Sequence, residues 1–402
     1  MSSSIGLWVR ADWRRRRASL LALTLLAGLS FAVVATAVAG ARRTATSFER
    51  LRATTLAYDH GVGIDAPGSN PGGGGGYDDA TVGRIEHLPQ VAAAGELVTY
   101  FASLPNANSE VALNAPVGGI LGTQVERARI MRGRMPAPQS DDEIAVNEAA
   151  VQRTGVDVGG TLTVETLTPD QRAQIVGGDA HALDHGFLGP ELRLRVVGVL
   201  RGVPDLVGTS HPALITSPHF DASYRGRIAY ATRMLMVRRA TGYSSAEFHA
   251  AVDSTVIGAQ LGVFDATVED KPARRTIHTL GLGLVVFALV AGAVSMLALN
   301  QAVSRHVVGS NPAHHALVAL GLTRAQRVRA AIATVAPAAL GGALVAALAS
   351  YAASPLMPVG LARRAEPDPG LRVDWPVAGL IAFAVVVVIV GEAFVAAMLA
   401  TR

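Results

Sequence analysis

Leu20–Val38 reads LLALTLLAGLSFAVVATAV, an uninterrupted apolar run directly after the basic stretch Arg14–Arg17. Three further apolar runs, about Leu280–Leu299, Val328–Ser354 and Val377–Leu399, occupy the last third of the chain. Each run is long enough to cross a hydrocarbon core of roughly 30 Å, which takes about 20 helical residues. The pattern predicts an α-helical membrane protein with four transmembrane helices, one plus three. A large mixed α/β extracytoplasmic domain is expected between helices 1 and 2.

The composition supports a membrane protein with a soluble insert. Half of the 402 residues are hydrophobic, and this hydrophobicity is concentrated in the four runs. The insert is large enough to bury its own core. Because the chain has no cysteine, disulfides and thiol chemistry are excluded. The net charge is only +4, and the arginines cluster beside the apolar runs. They are interpreted as topology signals, so no nucleic-acid partner is expected.

The arginines also predict the orientation. Arg14–Arg17 place the N-terminus in the cytoplasm of a cell (plasma or inner) membrane protein, and four crossings then return the C-terminus to the cytoplasm. The outer-side arginines oppose this rule: they are Arg42, Arg43, Arg274, Arg275, Arg363 and Arg364. A cleaved signal peptide is the alternative for the first run, although its length exceeds the roughly 15 residues of a signal h-region.

The predicted divisions follow from these runs. They are a cytoplasmic interfacial segment (1–17), helix 1 (18–41), the extracytoplasmic domain (42–275) and a three-helix domain (276–402) with a cytoplasmic segment (301–327). Within the external domain, period-two patterns predict strands at Val91–Tyr100 and Leu192–Leu200. Helices are predicted at Asp141–Val151 and at Ser244–Val256, the latter capped by its first serines. Lys271-Pro272 predicts a break before the second apolar run.

The segment between the second and third apolar runs indicates a contact for a cytoplasmic partner. Ala316, Leu317 and Leu320 form an apolar stripe on a short helix that stops at Gly321. Thr323 then caps a new helix, with Gln326 three residues later in capping-box spacing. A connecting turn on the lipid surface is the alternative interpretation.

Residues for catalysis are not apparent. The only lysine, Lys271, is followed by proline, so this chain holds no P-loop and any ATP hydrolysis must come from another chain. The run Gly72–Gly76 lacks the Gly-Lys-Ser/Thr ending and is interpreted as a flexible loop. His181 and His185 are interpreted as surface histidines and not as metal ligands. No catalytic, cofactor-binding or metal residue is therefore assigned.

Several residues inside the apolar runs could take part in movement of the helices relative to one another. Glu392 is an acid within a hydrophobic run, where acids are costly and often functional. It could contact another helix, a proton or a substrate, or merely orient its own helix. Pro337 with Gly341 and Gly342 is expected to soften or kink the third helix. Ala288 and Gly292 give the second helix a small-residue packing face.

Four sequence features carry a family resemblance. They are the one-plus-three layout, the segment Leu320–Gln326, the run Arg132–Pro136 with Asp142–Glu148, and the turn Val158–Leu162 followed by the strand end Val196–Val199. Together they resemble FtsX/MacB-like ABC transporter permeases, and the stretches Ser354–Gly360, Arg363–Gly370 and Asp374-Trp375 look like the actinobacterial branch. The resemblance covers nearly the whole chain.

The resemblance implies a permease subunit that couples a separate cytoplasmic ABC ATPase to an extracytoplasmic domain for export, extrusion or mechanotransmission. ATP and Mg would bind that ATPase and not this chain. The residues implied in ATPase coupling are His314, His315, Leu317, Leu320, Gly321, Thr323 and Arg324. Other implied partners are the lipid bilayer, an external protein or lipoprotein cargo, and a second copy or second permease half, since relatives often carry the bundle twice. A membrane-anchored sensor or scaffold that binds an envelope ligand is the alternative function.

Overall fold

The computed structural model describes residues 13, 16–63, 79–105, 109–206, 211–255, 262–308 and 323–400. It divides into two compact units, Met1–Phe48 with Thr276–Arg402, and Glu49–Arg275. We call the first the helical unit and the second the α/β unit. The helix before the α/β unit thus shares one compact unit with the three helices that follow it.

The elements are numbered in chain order. The helices are α1 (Arg17–Ala45), α2 (Ser47–Thr55), α3 (Asp79–Glu86), α4 (Glu148–Thr154), α5 (Pro169–Val176), α6 (Phe220–Tyr224), α7 (Ser245–Thr255), α8 (Ala266–Glu269), α9 (Lys271–Val308), α10 (Arg324–Ala353), α11 (Leu361–Ala365) and α12 (Trp375–Ala400). The strands are β1 (His60–Gly63), β2 (Val91–Leu104), β3 (Ser109–Val117), β4 (Arg129–Gly133), β5 (Glu143–Asn147), β6 (Thr161–Thr166), β7 (Leu192–Arg201), β8 (Ala213–Ile215), β9 (Tyr230–Arg239) and β10 (Gly262–Asp265).

Four helices, α1, α9, α10 and α12, are long and apolar enough to cross a membrane by length and composition. Three of them contain a predicted apolar run completely, and α10 covers its run up to Ala353, one residue short of the predicted end. The predicted break at Lys271-Pro272 is wrong, because these residues begin α9 and the preceding turn ends at Asp270. Proline is tolerated there since the first helical turn does not use its N–H groups.

The helical unit buries its apolar residues chiefly where α1 packs along α10 and α10 along α12. In the most apolar window, 44% of the residues of α1 and of α10 are buried, against 33% for α12 and 17% for α9. Helix α9 reaches the shared core through Ala288, Leu299 and Val303. It is therefore the least enclosed of the four helices.

The described strands of the α/β unit form one ten-stranded sheet in the order β10-β1-β9-β2-β3-β8-β5-β7-β4, with β6 paired to both β2 and β7. Because β6 joins β2 to β7, the strands β2, β3, β8, β5, β7 and β6 close into a ring. The main core of this unit is formed chiefly by apolar residues of these six strands, together with Ala150 of α4, Phe220 of α6 and Ile228. The prediction of a mixed α/β domain is confirmed.

Within the α/β unit, most of the local predictions are confirmed and one is partly wrong. The strands predicted at Val91–Tyr100 and Leu192–Leu200 are present as β2 and β7, and Ser244 forms the predicted cap of α7 with Glu247. The helix predicted over Asp141–Val151 is wrong in its first half, where the structure has strand β5. All five residues of β5 are buried between β7 and β8. A short apolar run does not distinguish a buried strand from a helix by periodicity alone.

Candidate functional site

One end of the helical unit carries the N-termini of α1 and α10 and the C-termini of α9 and α12; we call it the terminal-side end. The Ser19 hydroxyl lies 3.0 Å from Nδ1 of His306, and Arg16 donates to the His306 carbonyl at 3.3 Å. Arg324 donates to the Met398 carbonyl at 3.1 Å. These hydrogen bonds tie α1 to α9 and α10 to α12.

Two of the residues with an implied role in ATPase coupling, Thr323 and Arg324, are described at this end. Thr323 caps α10 as predicted: its hydroxyl accepts from the Gln326 N–H at 3.4 Å, and its own N–H donates to Oε1 of Gln326 at 2.9 Å. Thr323 and Arg324 are both exposed. The remaining residues of the predicted contact lie outside the described residues: His314, His315, Leu317, Leu320 and Gly321. Their role stays a prediction.

The opposite end, which we call the loop-side end, comprises the end of α1 and residues 354–374. Arg43 lies there with its Nε 3.3 Å from Oε2 of Glu366, and Arg43 and Glu366 are 9% and 1% exposed. The same guanidinium donates to the carbonyls of Ser354 and Gly370, each at 3.2 Å, and to that of Asp368. One buried cation therefore fastens the loop between α10 and α12 onto α1.

Other outer-side arginines also have partners at the loop-side end. Arg42 forms an exposed ion pair with Asp374 at 3.1 Å, and Arg363 donates to the Pro355 carbonyl at 2.7 Å. These contacts give arginines that oppose the topology rule a structural role. Sequence reasoning missed this structural role. The arginine lies at the end of an apolar run and its acidic partner lies more than 300 residues later, so no local pattern connects them.

Between the two ends, α1 and α10 approach closely through small residues. A Cβ atom built on Gly28 would lie 2.5 Å from Cβ of Val345, and one on Gly342 would lie 3.2 Å from Cβ of Ala27. Separations below 3.0 Å require a neighbour to move. The glycines Gly341 and Gly342 therefore face a helix–helix contact. Their expected effect on helix flexibility stays a prediction.

The other predicted bundle residues differ in their surroundings. A Cβ atom added to Gly292 would meet nothing within 4 Å, so the expected small-residue face of α9 makes no close contact at this residue within the described chain. Pro337 lies inside α10, which continues on both sides of it. Both carboxylate oxygens of Glu392 are shielded from solvent and have no hydrogen-bond partner among the described residues.

In the α/β unit, two sequence motifs of the family resemblance meet at paired glycines. Gly133 of β4 faces Gly198 of β7. A Cβ atom on Gly133 would lie 2.1 Å from the Val197 carbonyl oxygen, and one on Gly198 would lie 2.1 Å from that of Arg134. Only glycine permits such an approach of the two backbones.

The acidic residue of the next motif, Glu143, joins the same cluster. Its carboxylate accepts two hydrogen bonds from Arg134, both at 2.7 Å, one from Arg195 at 2.5 Å and one from the Ala137 N–H at 3.0 Å. The hydrogen bonds from Arg134 and Ala137, against the opposing effect of burial, lower the pKa of Glu143 to about 2. The carboxylate is thus held ionised.

The predicted turn at Val158–Leu162 completes this cluster. The Gly159 N–H donates to the Val196 carbonyl at 2.8 Å, and Arg132 pairs with Asp157 at 2.8 Å. The structure therefore brings together all the external motifs of the resemblance. Their contacts with one another stabilise the sheet.

A second cluster ties the first residues of the α/β unit to its last. Arg52 pairs with Asp270 at 2.5 Å and with Asp59 at 3.0 Å. Beside them is a cavity of about 170 Å³ that Tyr58 and Glu126 also line. Burial raises the pKa of Glu126 to about 7, opposed by its hydrogen bond from the Tyr58 N–H. The entering and leaving segments of the chain are thus clamped to each other.

The histidines His181 and His185 lie exposed, as expected for surface residues, and His181 pairs with Asp184 at 2.7 Å. Among the described residues, no group of three or more histidine, aspartate or glutamate side chains is arranged to hold a metal ion.

No protein-family model matches this sequence, and neither does any curated protein. Two solved structures are similar to about half of this chain. The periplasmic region of MacB from Actinobacillus actinomycetemcomitans is 9% identical, with a TM-score of 0.32, covering 54% of this chain and 92% of that one. The extracellular domain of the noncanonic ABC-type transporter YknZ from Gram-positive bacteria is 8% identical, with a TM-score of 0.30, covering 52% and 98%. At these values we infer nothing further from them.

Proposed function

We propose that this chain is the transmembrane subunit of an ABC transporter whose separate cytoplasmic ATPase drives movement of the α/β unit. That movement serves export, extrusion or mechanotransmission, with a protein or lipoprotein as cargo. ATP and Mg bind the ATPase, because this sequence has no P-loop of its own. The sequence resemblance to FtsX/MacB-like permeases suggests the same assignment.

The observation that carries the proposal is the architecture of the chain. A single apolar helix precedes an α/β unit of residues 49–275, and three apolar helices follow it. All four helices belong to one compact unit. A protein that only anchors an external domain needs one apolar helix, whereas a packed four-helix unit supports two arrangements between which a partner can select.

The terminal-side end supports a contact with a cytoplasmic partner. Its helix ends are joined by hydrogen bonds of Arg16, Ser19 and Arg324. The residues implied in ATPase coupling, between His314 and Arg324, come after α9 in the sequence and end at the start of α10. A force applied to this segment would therefore reach α9, which enters the α/β unit, and α10, which packs along α1.

The clamp between Arg52 and Asp270 supports transmission into the α/β unit. These residues lie close to the two places where the chain passes between the units. An ion pair between them makes the two connections respond together. Coupling between distant sites requires such a continuous physical link and a two-state element.

The test replaces residues 314–324 with a Gly/Ser segment of equal length in the full-length chain. We expect the tagged wild-type chain to copurify with an ATPase from detergent-solubilised membranes, and the replaced chain to lose both this ATPase and its ATP-driven activity. The control replaces the exposed loop residues 183–186, which should change neither.

Retention of a fully active ATPase by the 314–324 replacement would show that the coupling role is wrong. Absence of any ATPase from the wild-type complex would overturn the whole proposal and favour the sensor or scaffold alternative.

A further inference from the structure

The α/β unit contains a second cavity, of about 260 Å³, that the proposed function does not use. It lies between β2, the start of α5, the end of α6 and β9. Its walls are largely apolar, with contributions from Val98, Pro169, Ile228, Ala229 and Tyr230. Ligand pockets are typically mostly apolar, with a few polar groups that fix the orientation of the ligand.

Two of the three arginines that line the cavity are already neutralised. Arg225 makes two hydrogen bonds to Asp221, one of them from Nε at 3.0 Å. Asp221 is held in turn by the Tyr100 hydroxyl, which donates to it at 2.6 Å. Arg233 donates from Nε to Glu96 at 2.6 Å. Because each of these two arginines is paired with a carboxylate, neither adds a net positive charge that would attract an anionic ligand.

The third arginine, Arg172, has a different environment. Its guanidinium carbon lies 4.9 Å from the centre of the Tyr230 ring, which is a cation–π contact. Its Nε atom is shielded from solvent and has no hydrogen-bond partner among the described residues. Within the described chain, no carboxylate pairs with Arg172. The cavity thus carries one uncompensated positive charge, held in place by an aromatic ring.

We infer that this cavity binds a small organic monocarboxylate, with the carboxylate on Arg172 and an apolar body against Val98, Ile228 and Tyr230. A guanidinium matches the geometry of a carboxylate with two parallel hydrogen bonds. The single positive charge favours a monoanion over a phosphate dianion. The volume lies below the roughly 300–1,000 Å³ of drug-sized ligand pockets, so the ligand is small.

The test titrates benzoate against the full-length chain in lipid nanodiscs and follows binding by ligand-observed NMR. Benzamide, which has the same ring without the charge, is titrated in parallel. Arg172→Met removes the cation. We expect benzoate to bind the wild-type chain, benzamide to bind it at least about tenfold more weakly, and R172M to weaken benzoate by at least about tenfold, as expected for a lost charged hydrogen bond.

The chain offers a matched control in Arg227, which stacks over the Tyr224 ring at 5.2 Å but does not line the cavity. Arg227→Met should leave benzoate binding unchanged. Unfolding midpoints of both variants show whether the fold is retained, and Arg172→Lys, which keeps the charge without the planar fork, should bind with intermediate affinity.

Equal affinities of R172M, R227M and wild type for benzoate would overturn the inference, and so would equal binding of benzamide and benzoate or no binding of benzoate. The site is independent of the ATPase, so its failure would leave the proposed function standing.

Discussion

The two ends of the helical unit are built differently. At the loop-side end, the buried Arg43 guanidinium joins a buried carboxylate and three backbone carbonyls to α1. At the terminal-side end, hydrogen bonds link Ser19 to His306 and Arg324 to Met398, and Arg324 is exposed. The network at the loop-side end is buried, whereas the Arg324 contact at the terminal-side end is exposed, so water can replace it.

This difference indicates where the helices can move. Breaking a desolvated charge network costs several kcal/mol, whereas an exposed hydrogen bond contributes little. The exposed Arg324 contact is therefore easier to break than the Arg43 network. We expect a partner to shift the helices more readily at the terminal-side end than at the loop-side end.

Removing Arg43 should break the loop-side end and give the largest effect. Arg43→Met removes the buried cation that faces the buried Glu366 carboxylate, so we expect the free energy of unfolding to fall by about 3–5 kcal/mol. Unfolding of the detergent-solubilised chain by denaturant measures this. Arg42→Met, which removes the exposed pair with Asp374, should cost about 1 kcal/mol or less.

A double variant sharpens the interpretation of Arg43. R43M with Glu366→Met removes both charges and should recover part of the stability lost in R43M. Equal losses for R43M and R42M would contradict the description of the loop-side end.

The close packing of α1 against α10, which lies between the two ends, can be tested with two glycine variants. Gly28→Leu would force a side chain into Val345, so we expect a loss of about 1–3 kcal/mol from overpacking. A Cβ atom at Gly292 meets nothing within 4 Å, so Gly292→Leu should cost much less stability than Gly28→Leu. Thermal unfolding midpoints of the two variants compare them. A greater loss for G292L would show that α9, and not the α1–α10 pair, is the tightly packed helix.

The Glu143 cluster extends the comparison to the α/β unit and adds a pH test. The folded pKa of Glu143, about 2, is below its unfolded value. Its stabilisation is therefore complete above about pH 5 and is lost as the pH falls toward 2. Glu143→Gln should lower the free energy of unfolding by about 1–3 kcal/mol at pH 7. The difference between wild type and E143Q should shrink over that window, and a constant difference would contradict the assignment.

The smallest effect on stability is expected at the terminal-side end. Arg324→Met removes the exposed hydrogen bond to the Met398 carbonyl, so the unfolding free energy should change by less than about 1 kcal/mol. Denaturant unfolding beside R43M provides the comparison. A loss as large as that of R43M would remove the distinction between the two ends.

Sequence reasoning predicted what depends on local patterns and missed what depends on distant residues. Runs of apolar residues located all four long helices, and capping-box spacing located the start of α10 at Thr323. The strand β5 was mistaken for a helix because only its neighbours β7 and β8 make its residues buried. The pair of Arg43 and Glu366 joins residues 323 positions apart, which no local pattern reveals.

The candidate site shows the same division. The cap at Thr323 could be predicted from the three-residue spacing between Thr323 and Gln326. The cavity at Arg172 forms only when the fold brings α5, α6 and β9 together. Which arginines are already neutralised is also decided by tertiary contacts. Composition alone gives all of them the same charge.

The most direct test of the central claim uses the absence of cysteine from this chain. Single cysteines placed at the exposed residues Ala325, at the terminal-side end, and Leu371, at the loop-side end, can carry a photo-crosslinker in the assembled complex. We predict that Ala325→Cys crosslinks to the copurifying ATPase and Leu371→Cys does not. Crosslinking from Leu371→Cys with none from Ala325→Cys would contradict the account.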